Sequence, residues 1–179
     1  MNAFEYCSRC GREGLIWSAG KRWECGHCGI VYYHNMAAAV AAVLMCGDEI
    51  LLSVRKHNPA QGMLDLPGGF VDYHESLEQA LTREVEEELG LVLESSEWRY
   101  LFSFPNRYEF AGITYLTSDA FFLAELETKP RITADDDVAG EVWIELDQVD
   151  SERIGLESIR NAIRELQEQY RQGRLSAGL

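Results

Sequence analysis

The sequence predicts an α+β or mixed α/β layered domain preceded by a small cysteine-rich module. The first 35 residues contain four of the five cysteines, and strand-like and helix-like segments alternate from Met36 onward. Segments of both kinds have an apolar face, which another layer has to cover. We therefore expect a module at 1–35, a main domain at 36–171 and a flexible tail at 172–179.

The strands of the main domain are predicted from apolar runs that end at turn residues. Ala39 to Met45 and Ile50 to Arg55 are such runs, separated by Gly47-Asp48-Glu49. A shorter run, Leu64 to Leu66, ends at Pro67-Gly68-Gly69, which is expected to break regular structure. Three later segments rich in β-branched and aromatic residues are also predicted strands: Trp98 to Phe104, Leu116 to Leu126 and Glu141 to Leu146.

Two helices are predicted from apolar periodicity and capping residues. Ser76 and Gln79 have the spacing of a capping box, and Gly90 stands where the first helix would end. Apolar residues recur at every fourth position between them and give the helix an apolar stripe: Leu77, Leu81, Val85 and Leu89. A second helix is predicted from Ser158 to Tyr170, and the chain after Arg171 is expected to fray.

Composition and charge limit the classes of function. No apolar run reaches the roughly 20 residues of a membrane span. The N-terminus lacks the apolar centre of a secretory signal, so a cytoplasmic protein is expected. The net charge of −14 disfavours a protein that acts mainly by binding the nucleic-acid backbone, because such binding requires clustered Lys and Arg. A phosphate-bearing substrate is compatible with this acidity only through a bound divalent cation.

The cysteine spacing predicts a zinc ribbon. Cys7-x₂-Cys10 and Cys25-x₂-Cys28 are separated by 14 residues, close to the spacing typical of tetrahedral Zn²⁺ sites. Two disulfides are the alternative, which a cytosolic compartment disfavours. Four thiolates leave no open coordination position, so the zinc is expected to be structural and not catalytic.

Three glutamates share one face of the first predicted helix. Glu84, Glu87 and Glu88 stand at positions i, i+3 and i+4, which project from the same side. Carboxylates at this spacing repel one another, whereas a hard divalent cation is bound by clustered oxygen ligands. A solvated glutamate-rich face is the alternative for these three residues taken alone. Arg83 is expected to orient the acids through charge-assisted hydrogen bonds.

The segment before this helix adds further features of a ligand site. Pro67-Gly68-Gly69 allows the backbone to approach a ligand closely and to turn a carbonyl towards a metal. Glu75 precedes the helix near its positive end, where a carboxylate is favoured. The full pattern is Gly69, five residues, Glu75, seven residues, Arg-Glu-apolar-any-Glu-Glu-any-Gly-apolar. It matches the Nudix box at every fixed position.

The chain therefore resembles the Nudix hydrolase family over about residues 36–170. The resemblance implies a Nudix fold, in which a mixed β-sheet is sandwiched between α-helices, and hydrolysis of nucleoside diphosphates linked to another moiety. It also implies that Mg²⁺ or Mn²⁺ is bound by Glu84, Glu87, Glu88 and the carbonyl of Gly69, with Glu75 as support. Candidates for the general base are Glu84, the loop Asp135-Asp136-Asp137 and Glu141.

A zinc ribbon directly before a Nudix domain is similar to the NADH pyrophosphatases, which implies cleavage of NADH to reduced nicotinamide mononucleotide and AMP. The Ser-Gln-Pro-Trp signature of those enzymes stands here as Ser103-Phe104-Pro105-Asn106, and their larger domain ahead of the ribbon has no counterpart in this sequence. ADP-ribose or another nucleoside diphosphate sugar is therefore a rival substrate. Phe104 and Tyr108, with Phe110 and Tyr115, are candidates for stacking on a base or nicotinamide ring, and ordinary strand aromatics are the alternative.

A non-catalytic module that senses a nucleotide sugar, and contacts a partner through the ribbon, is the alternative function. The complete set of box residues argues against it, because a sensor does not need all three metal-binding glutamates. Removal of nucleotide caps from RNA belongs to the same chemistry, but the acidic composition disfavours it. The family resemblance also implies a homodimer.

Overall fold

The computed structural model describes residues 4–110, 112–132 and 138–175, which divide into two compact units, one up to Met36 and one from Ala37. The first unit contains a three-stranded antiparallel sheet. Its strands, in spatial order, are β1 (Leu15–Ser18), β2 (Arg22–Cys25) and β3 (Val31–Tyr33). The four cysteines of the predicted zinc ribbon belong to this unit.

The second unit is built on a seven-stranded mixed sheet. Two short strands lie beside its main path: β6 (Leu64–Asp65) and β7 (Gly68–Phe70). The path itself runs in the order β10 (Val138–Glu145), β5 (Glu49–Arg55), β4 (Ala37–Cys46), β9 (Ile113–Glu125) and β8 (Arg99–Phe110). β6 pairs with β5, and β7 pairs with β4. β4 and β9 are parallel, and the other described pairs are antiparallel.

The first helix, α1 (Leu77–Leu89), begins and ends where its capping residues predict. The side chain of Ser76 accepts a hydrogen bond from the Gln79 N–H at 3.2 Å, and the Ser76 N–H donates to the Gln79 side chain at 2.9 Å. Gly90 ends the helix in the left-handed conformation, with φ of 67°. The second helix, α2 (Glu157–Arg171), covers the segment predicted for it.

The two helices cover opposite faces of the sheet. On one face, Leu81, Val85 and Leu89 of α1 are fully buried against a cluster that includes Leu44 and Phe122. A second cluster joins α2 to the other face of the same strands: Val43, Leu52, Phe121, Ile159, Ile163 and Leu166. Each such side chain contributes roughly 1.5–3 kcal/mol through burial, which fixes the acidic face of α1 relative to the strands. The predicted α+β sandwich of mixed sheet and helices is confirmed.

The glycine-rich segment after β6 does not break regular structure, contrary to the prediction. Gly68 and Gly69 pair with Ala41 and Val40 of β4, so the segment forms the short strand β7. This pairing is between residues distant in sequence, and a local turn signal carries no information about it. β7 therefore lies beside the middle of the sheet, next to α1.

The end of the domain also differs from the prediction. Leu175 is buried in the core cluster on the α2 side, so the packed domain continues past the end expected at Arg171. The remainder of the predicted tail, residues 176–179, lies outside the described residues. None of the described helices has the length and hydrophobicity that a membrane span requires.

Candidate active site

A close approach between β7 and α1 defines the candidate site. A Cβ atom on Gly69 would lie 2.5 Å from Oε1 of Glu84, so this carboxylate lies directly against the Gly69 backbone. A Cβ on Gly68 would lie 2.1 Å from the Val40 carbonyl oxygen, and Gly68 has a φ of 145°. The Gly68 N–H donates to Oε2 of Glu88 at 3.1 Å. Glycine at both positions lets β7 fit between β4 and the acidic face of α1.

Arg83 forms hydrogen bonds with three carboxylates and one backbone carbonyl. Its Nε and Nη2 donate to the two oxygens of Glu75 at 2.8 and 3.1 Å, which is a bidentate pair. Its Nη1 donates to Glu84 at 2.8 Å and to Glu87 at 3.1 Å. Nη2 also donates to the carbonyl of Phe70 at 3.2 Å and thereby ties α1 to β7. Arg83 thus lies among the acids that it is predicted to orient.

Burial and charge act differently on Glu75 and Glu84. Hydrogen bonds from Arg83 hold the pKa of Glu75 below its ordinary value. Burial raises the pKa of Glu84, and the hydrogen bond from Arg83 offsets this effect only in part. An ionised Glu84 in this desolvated position is stabilised by any further positive charge nearby, so the site favours a bound cation.

The chemistry of the donor atoms fits a divalent cation. Glu84 and Glu88 lie against the glycine backbone of β7, and the Glu87 side chain is 60% exposed on the solvent side of the same face. All are oxygen donors of the kind that Mg²⁺ and Mn²⁺ bind. Within the described part of the chain, the three carboxylates are not gathered as closely as the four cysteines are, and Arg83 and the Gly68 N–H occupy several of their oxygens. A cation would take the place of these donors.

A cavity of about 410 Å³ opens beside these carboxylates. Its lining includes Glu84 and Glu88 together with three basic side chains that follow one another in sequence: Arg55, Lys56 and His57. Carboxylates that can hold a cation and basic side chains that can pair with anions therefore line one space. This combination suits a phosphate-bearing ligand.

Two buried carboxylates near the cavity were not predicted from the sequence. Asp65 forms an ion pair with Arg55, and burial raises the pKa of Asp65. Asp119 accepts hydrogen bonds from the hydroxyl groups of Thr117 and Ser158, each at 2.5 Å. The available signal was the place of each acid in the sequence: Asp65 stands between two leucines, and Asp119 directly precedes the apolar run 120–124. An acid is almost never fully buried without a partner.

The aromatic residues predicted to stack on a ring fall into two groups. Tyr108 lines the cavity and belongs to an aromatic cluster with Phe70, Phe110 and Tyr115. Phe104 instead packs in the core on the α2 side, with its ring centroid 6.1 Å from that of Phe121. Phe104 therefore packs with the core, because it stands where α2 covers the strand, and it is not among the described lining residues of the cavity.

The structure describes one of the later candidates for the general base, Glu141. Glu141 lies on β10 opposite Ser53, is exposed, and is absent from the described lining of the cavity. The loop Asp135-Asp136-Asp137 lies outside the described residues. Among the predicted bases within the described ranges, Glu84 lines the cavity and Glu141 does not.

A separate site is formed by the cysteines of the first unit. The four sulfur atoms of Cys7, Cys10, Cys25 and Cys28 lie within 4.8 Å of one another. Cys7 and Cys28 are 3.6 Å apart at sulfur, and Cys10 and Cys25 are 3.8 Å apart, far longer than the roughly 2.05 Å of a disulfide. All four are free thiols, so the two-disulfide alternative is wrong.

The electrostatics of these thiols favour a bound metal. The backbone N–H groups of Cys28 and His27 lower the pKa of Cys25 to about 6. The N–H of Ile30 acts in the same direction on Cys28, but burial and the other three sulfurs raise the pKa of Cys28 to about 11. A cation is therefore needed to keep all four sulfurs ionised together, and a four-thiolate set is typical of structural zinc.

Comparison with known proteins identifies the family. A model described as the NUDIX domain matches residues 35–166. An ADP-ribose pyrophosphatase from Methanocaldococcus jannaschii is 40% identical over 75 residues, which are 42% of this chain and 44% of that protein. The NAD-capped RNA hydrolase NudC from Haemophilus influenzae is 27% identical over 154 residues, 83% of this chain and 54% of that protein. The chain thus spans about half the length of these two relatives.

A solved structure extends the likeness to the whole fold. A NUDIX hydrolase from Nitrosomonas europaea aligns with a TM-score of 0.68 at 22% identity, over 98% of this chain and 97% of its own. The fold and the site define a layered α+β domain in which the glutamate-bearing face of α1 lies against the glycines of β7. The chain belongs to the NUDIX domain family, and its relatives include pyrophosphatases.

Proposed function

We propose that the protein is a divalent-metal-dependent pyrophosphohydrolase that acts on a nucleoside diphosphate derivative of the ADP-ribose or NADH type. The observation that carries the proposal is the contact of the Glu84 carboxylate with the Gly69 backbone, beside Arg83 and Glu88 and at the edge of a cavity of about 410 Å³. The names of the two relatives, an ADP-ribose pyrophosphatase and an NAD-capped RNA hydrolase, support this class of substrate.

The side chains of Glu84, Glu87 and Glu88 and the carbonyl of Gly69 would hold Mg²⁺ or Mn²⁺. A cation held there would neutralise charge on the diphosphate and would make a nearby water more acidic. Before a cation binds, Arg83 keeps Glu84 and Glu87 in position, and its bidentate pair with Glu75 fixes its own orientation. The proposed cation site thus combines side chains of α1 with one backbone carbonyl of β7.

The proposed reaction is attack of water on one phosphorus atom of the diphosphate. Glu84, which lies against Gly69 and lines the cavity, accepts a proton from this water. The bridging P–O bond breaks and the released phosphate oxygen leaves with the electron pair. ADP-ribose would give AMP and ribose 5-phosphate, and NADH would give AMP and reduced nicotinamide mononucleotide.

The remaining lining of the cavity would bind the rest of the substrate. Arg55, Lys56 and His57 offer basic side chains for phosphate oxygens. Tyr108 and Phe70, whose ring centroids are 5.8 Å apart, offer aromatic surfaces for a base or nicotinamide ring. The four cysteines would hold a structural zinc ion in the first unit.

A panel of substrates with product identification tests the proposal. The protein is incubated with ADP-ribose, NADH, NAD and a nucleoside diphosphate sugar, with Mg²⁺ and separately with Mn²⁺, and products are separated by chromatography. We expect AMP from ADP-ribose or NADH only when metal is present. Formation of no AMP from any of these compounds would contradict the proposal, and tight binding without turnover would favour the sensor function instead.

A further inference from the structure

A second, smaller cavity of about 140 Å³ adjoins the first and shares Gly69, Phe70 and Tyr108 with it. It lies on the α2 side of the sheet, because Leu156 and Ile159 line it. Its volume is below the roughly 300–1,000 Å³ of a pocket for a whole drug-sized ligand. The second cavity is therefore suited to one ring of a larger ligand that lies mainly in the first cavity.

Small residues open this space. Ala39 and Ala41 of β4 line the cavity, and Gly68 and Gly69 of β7 line it from the neighbouring strand. Larger side chains at these positions would fill it, as bulky residues fill the rest of this face of the sheet. The opening is thus a property of the sequence of β4 and β7 and is held by the regular pairing of the two strands.

Most polar groups on the wall of the cavity already have partners. The hydroxyl of Thr117 donates to Asp119, and the second oxygen of Asp119 accepts from Ser158. Asp65 is paired with Arg55. Because these groups already form hydrogen bonds or an ion pair with one another, they leave few donors and acceptors for recognition of a ligand.

Asn106 is the exception among the residues that the structure describes. It is only 7% exposed and lines the cavity, yet its side-chain amide has no hydrogen-bond partner within the described ranges. Neither amide atom is fully shielded from solvent, since Arg160 Nε is the fully buried side-chain polar atom without a partner in the described ranges. The Asn106 amide therefore opens on the cavity, where a ligand or water can satisfy it. The amide offers a donor and an acceptor side by side.

We propose that the side-chain amide of Asn106 recognises the polar edge of the planar ring of the substrate, a ring that carries a donor and an acceptor side by side. Adenine, with its 6-amino group and neighbouring ring nitrogen, and nicotinamide, with its carboxamide, share this chemistry. Tyr108 stands two positions further along β8 on the same face and lines both cavities, so it can stack on a ring whose edge faces Asn106. This inference rests on the proposed function and specifies its ring-binding determinant.

Binding of two matched pairs of ligands tests the proposal. The first pair is ADP-ribose and its hypoxanthine counterpart, in which a carbonyl replaces the 6-amino group. The second pair is NADH and its reduced nicotinic acid counterpart, in which a carboxylate replaces the carboxamide. Affinities for the full-length protein are measured by calorimetry with Ca²⁺ in place of Mg²⁺ or Mn²⁺, so that a cation accompanies the anionic ligand. Chromatography after each titration confirms that the ligand is intact, so that the result does not depend on hydrolysis.

We expect the wild type to bind the amino- or carboxamide-bearing member of one pair about tenfold or more tightly. The Asn106→Leu variant should lose this preference and bind both members with similar affinity. Which pair shows the preference identifies the ring as adenine or nicotinamide. Asn161→Leu, on α2 and outside the lining of both cavities, should keep the wild-type preference.

Thermal unfolding checks that Asn106→Leu is folded, and Asn106→Ala, which adds no bulk, replaces it if it is not. A wild type that binds none of the four ligands, or that binds both members of each pair equally, would overturn the proposal. Retention of the preference in the Asn106 variants would overturn it as well. Absence of AMP formation with metal present is a separate result, because it contradicts the proposed hydrolysis and not the recognition by Asn106.

Discussion

At the scale of single residues, the three glutamates of the α1 face stand in unequal surroundings. Glu84 lies against Gly69 and lines the cavity, Glu88 is held by the Gly68 N–H, and Glu87 is exposed on the solvent side. A loss of function at Glu87 is therefore the easiest to separate from a loss of stability, because its side chain contributes little to packing.

The substitution Glu87→Gln should lower kcat by about 100-fold or more, since it removes a proposed ligand of the metal. The melting temperature should stay close to that of the wild type, because the side chain is 60% exposed. Steady-state kinetics and differential scanning calorimetry measure the two effects. Glu86→Gln is the matched control, because Glu86 is exposed on the same helix and stands at the variable position of the box. The Glu86→Gln variant should have the activity of the wild type. Equal activity of Glu87→Gln and Glu86→Gln would contradict the ligand role.

Glu75 gives a prediction about pH. Arg83 lowers the pKa of Glu75 below 4.5, so ionised Glu75 stabilises the folded protein above that pH, and the contribution is lost as the pH falls through the lowered value. Wild type should therefore melt at a higher temperature than Glu75→Gln at about pH 6, and the difference should shrink as the pH falls below about 4.5. Melting curves over this range measure it. A difference that grows on acidification would contradict the bidentate pair.

At the scale of elements, the site depends on how closely β7 passes α1. The two glycines of β7 are required for different reasons: a Cβ on Gly69 would meet the carboxylate of Glu84, whereas a Cβ on Gly68 would meet the backbone of β4. A side chain can move aside, but a strand in the middle of a sheet cannot. The same substitution at neighbouring positions should therefore have different consequences.

Gly69→Ala should abolish most of the activity while the fold is retained, because it displaces Glu84. Gly68→Ala should lower the free energy of unfolding by about 1–3 kcal/mol or more, because it collides with backbone and has an unfavourable φ. Chemical denaturation and kinetics are compared for both variants. Gly140→Ala, where an added Cβ meets no atom of the described chain within 4 Å, should resemble the wild type in both measurements. Loss of stability in Gly69→Ala with full activity of the folded fraction would contradict this account.

The elements also explain which features could be predicted from the sequence. The limits of α1 follow from its capping residues and apolar stripe, which are local signals, and they were predicted within one residue. β7 was missed because its partner, β4, is distant in sequence. Phe104 and Tyr108 are both aromatic residues on the same face of β8, so the sequence does not distinguish them. Phe104 packs in the core because α2 covers that part of the strand, whereas Tyr108 lines the cavity.

Buried polar side chains were predicted least well. The Nudix box identified Arg83 and its carboxylates, because the spacing of charged residues on a helix is visible in the sequence. Asn106 and Asp119 stand in strands where a polar residue is ordinarily expected to face solvent, and their burial is set by neighbours on other elements. The space beside Asn106 results from alanines and glycines of two other strands.

At the scale of the whole molecule, two metal sites of different chemistry are proposed. The sulfur ligands of the first unit suit zinc, and the oxygen ligands of the second suit magnesium or manganese. The net charge of −14 makes a cation the necessary partner for any anionic substrate of the second unit. The two sites should therefore respond differently to removal of metal.

We expect about one zinc ion per chain in protein prepared without chelator. Cys25→Ser should lower the zinc content substantially and destabilise the first unit, because it removes one of four ligands. Cys46→Ser, which changes the cysteine outside the cluster, should retain its zinc. Elemental analysis by mass spectrometry provides the measurement. Equal zinc content in the two variants would contradict the cysteine site.

The most direct test of the central claim is anomalous X-ray diffraction from crystals of the protein soaked with Mn²⁺. The account predicts an anomalous peak bound by the carboxylates of Glu84, Glu87 and Glu88 and by the carbonyl of Gly69, with the hydrogen bonds from Arg83 to Glu84 and Glu87 rearranged. An α1 face that keeps its metal-free hydrogen bonds, with manganese bound elsewhere or not at all, would contradict it.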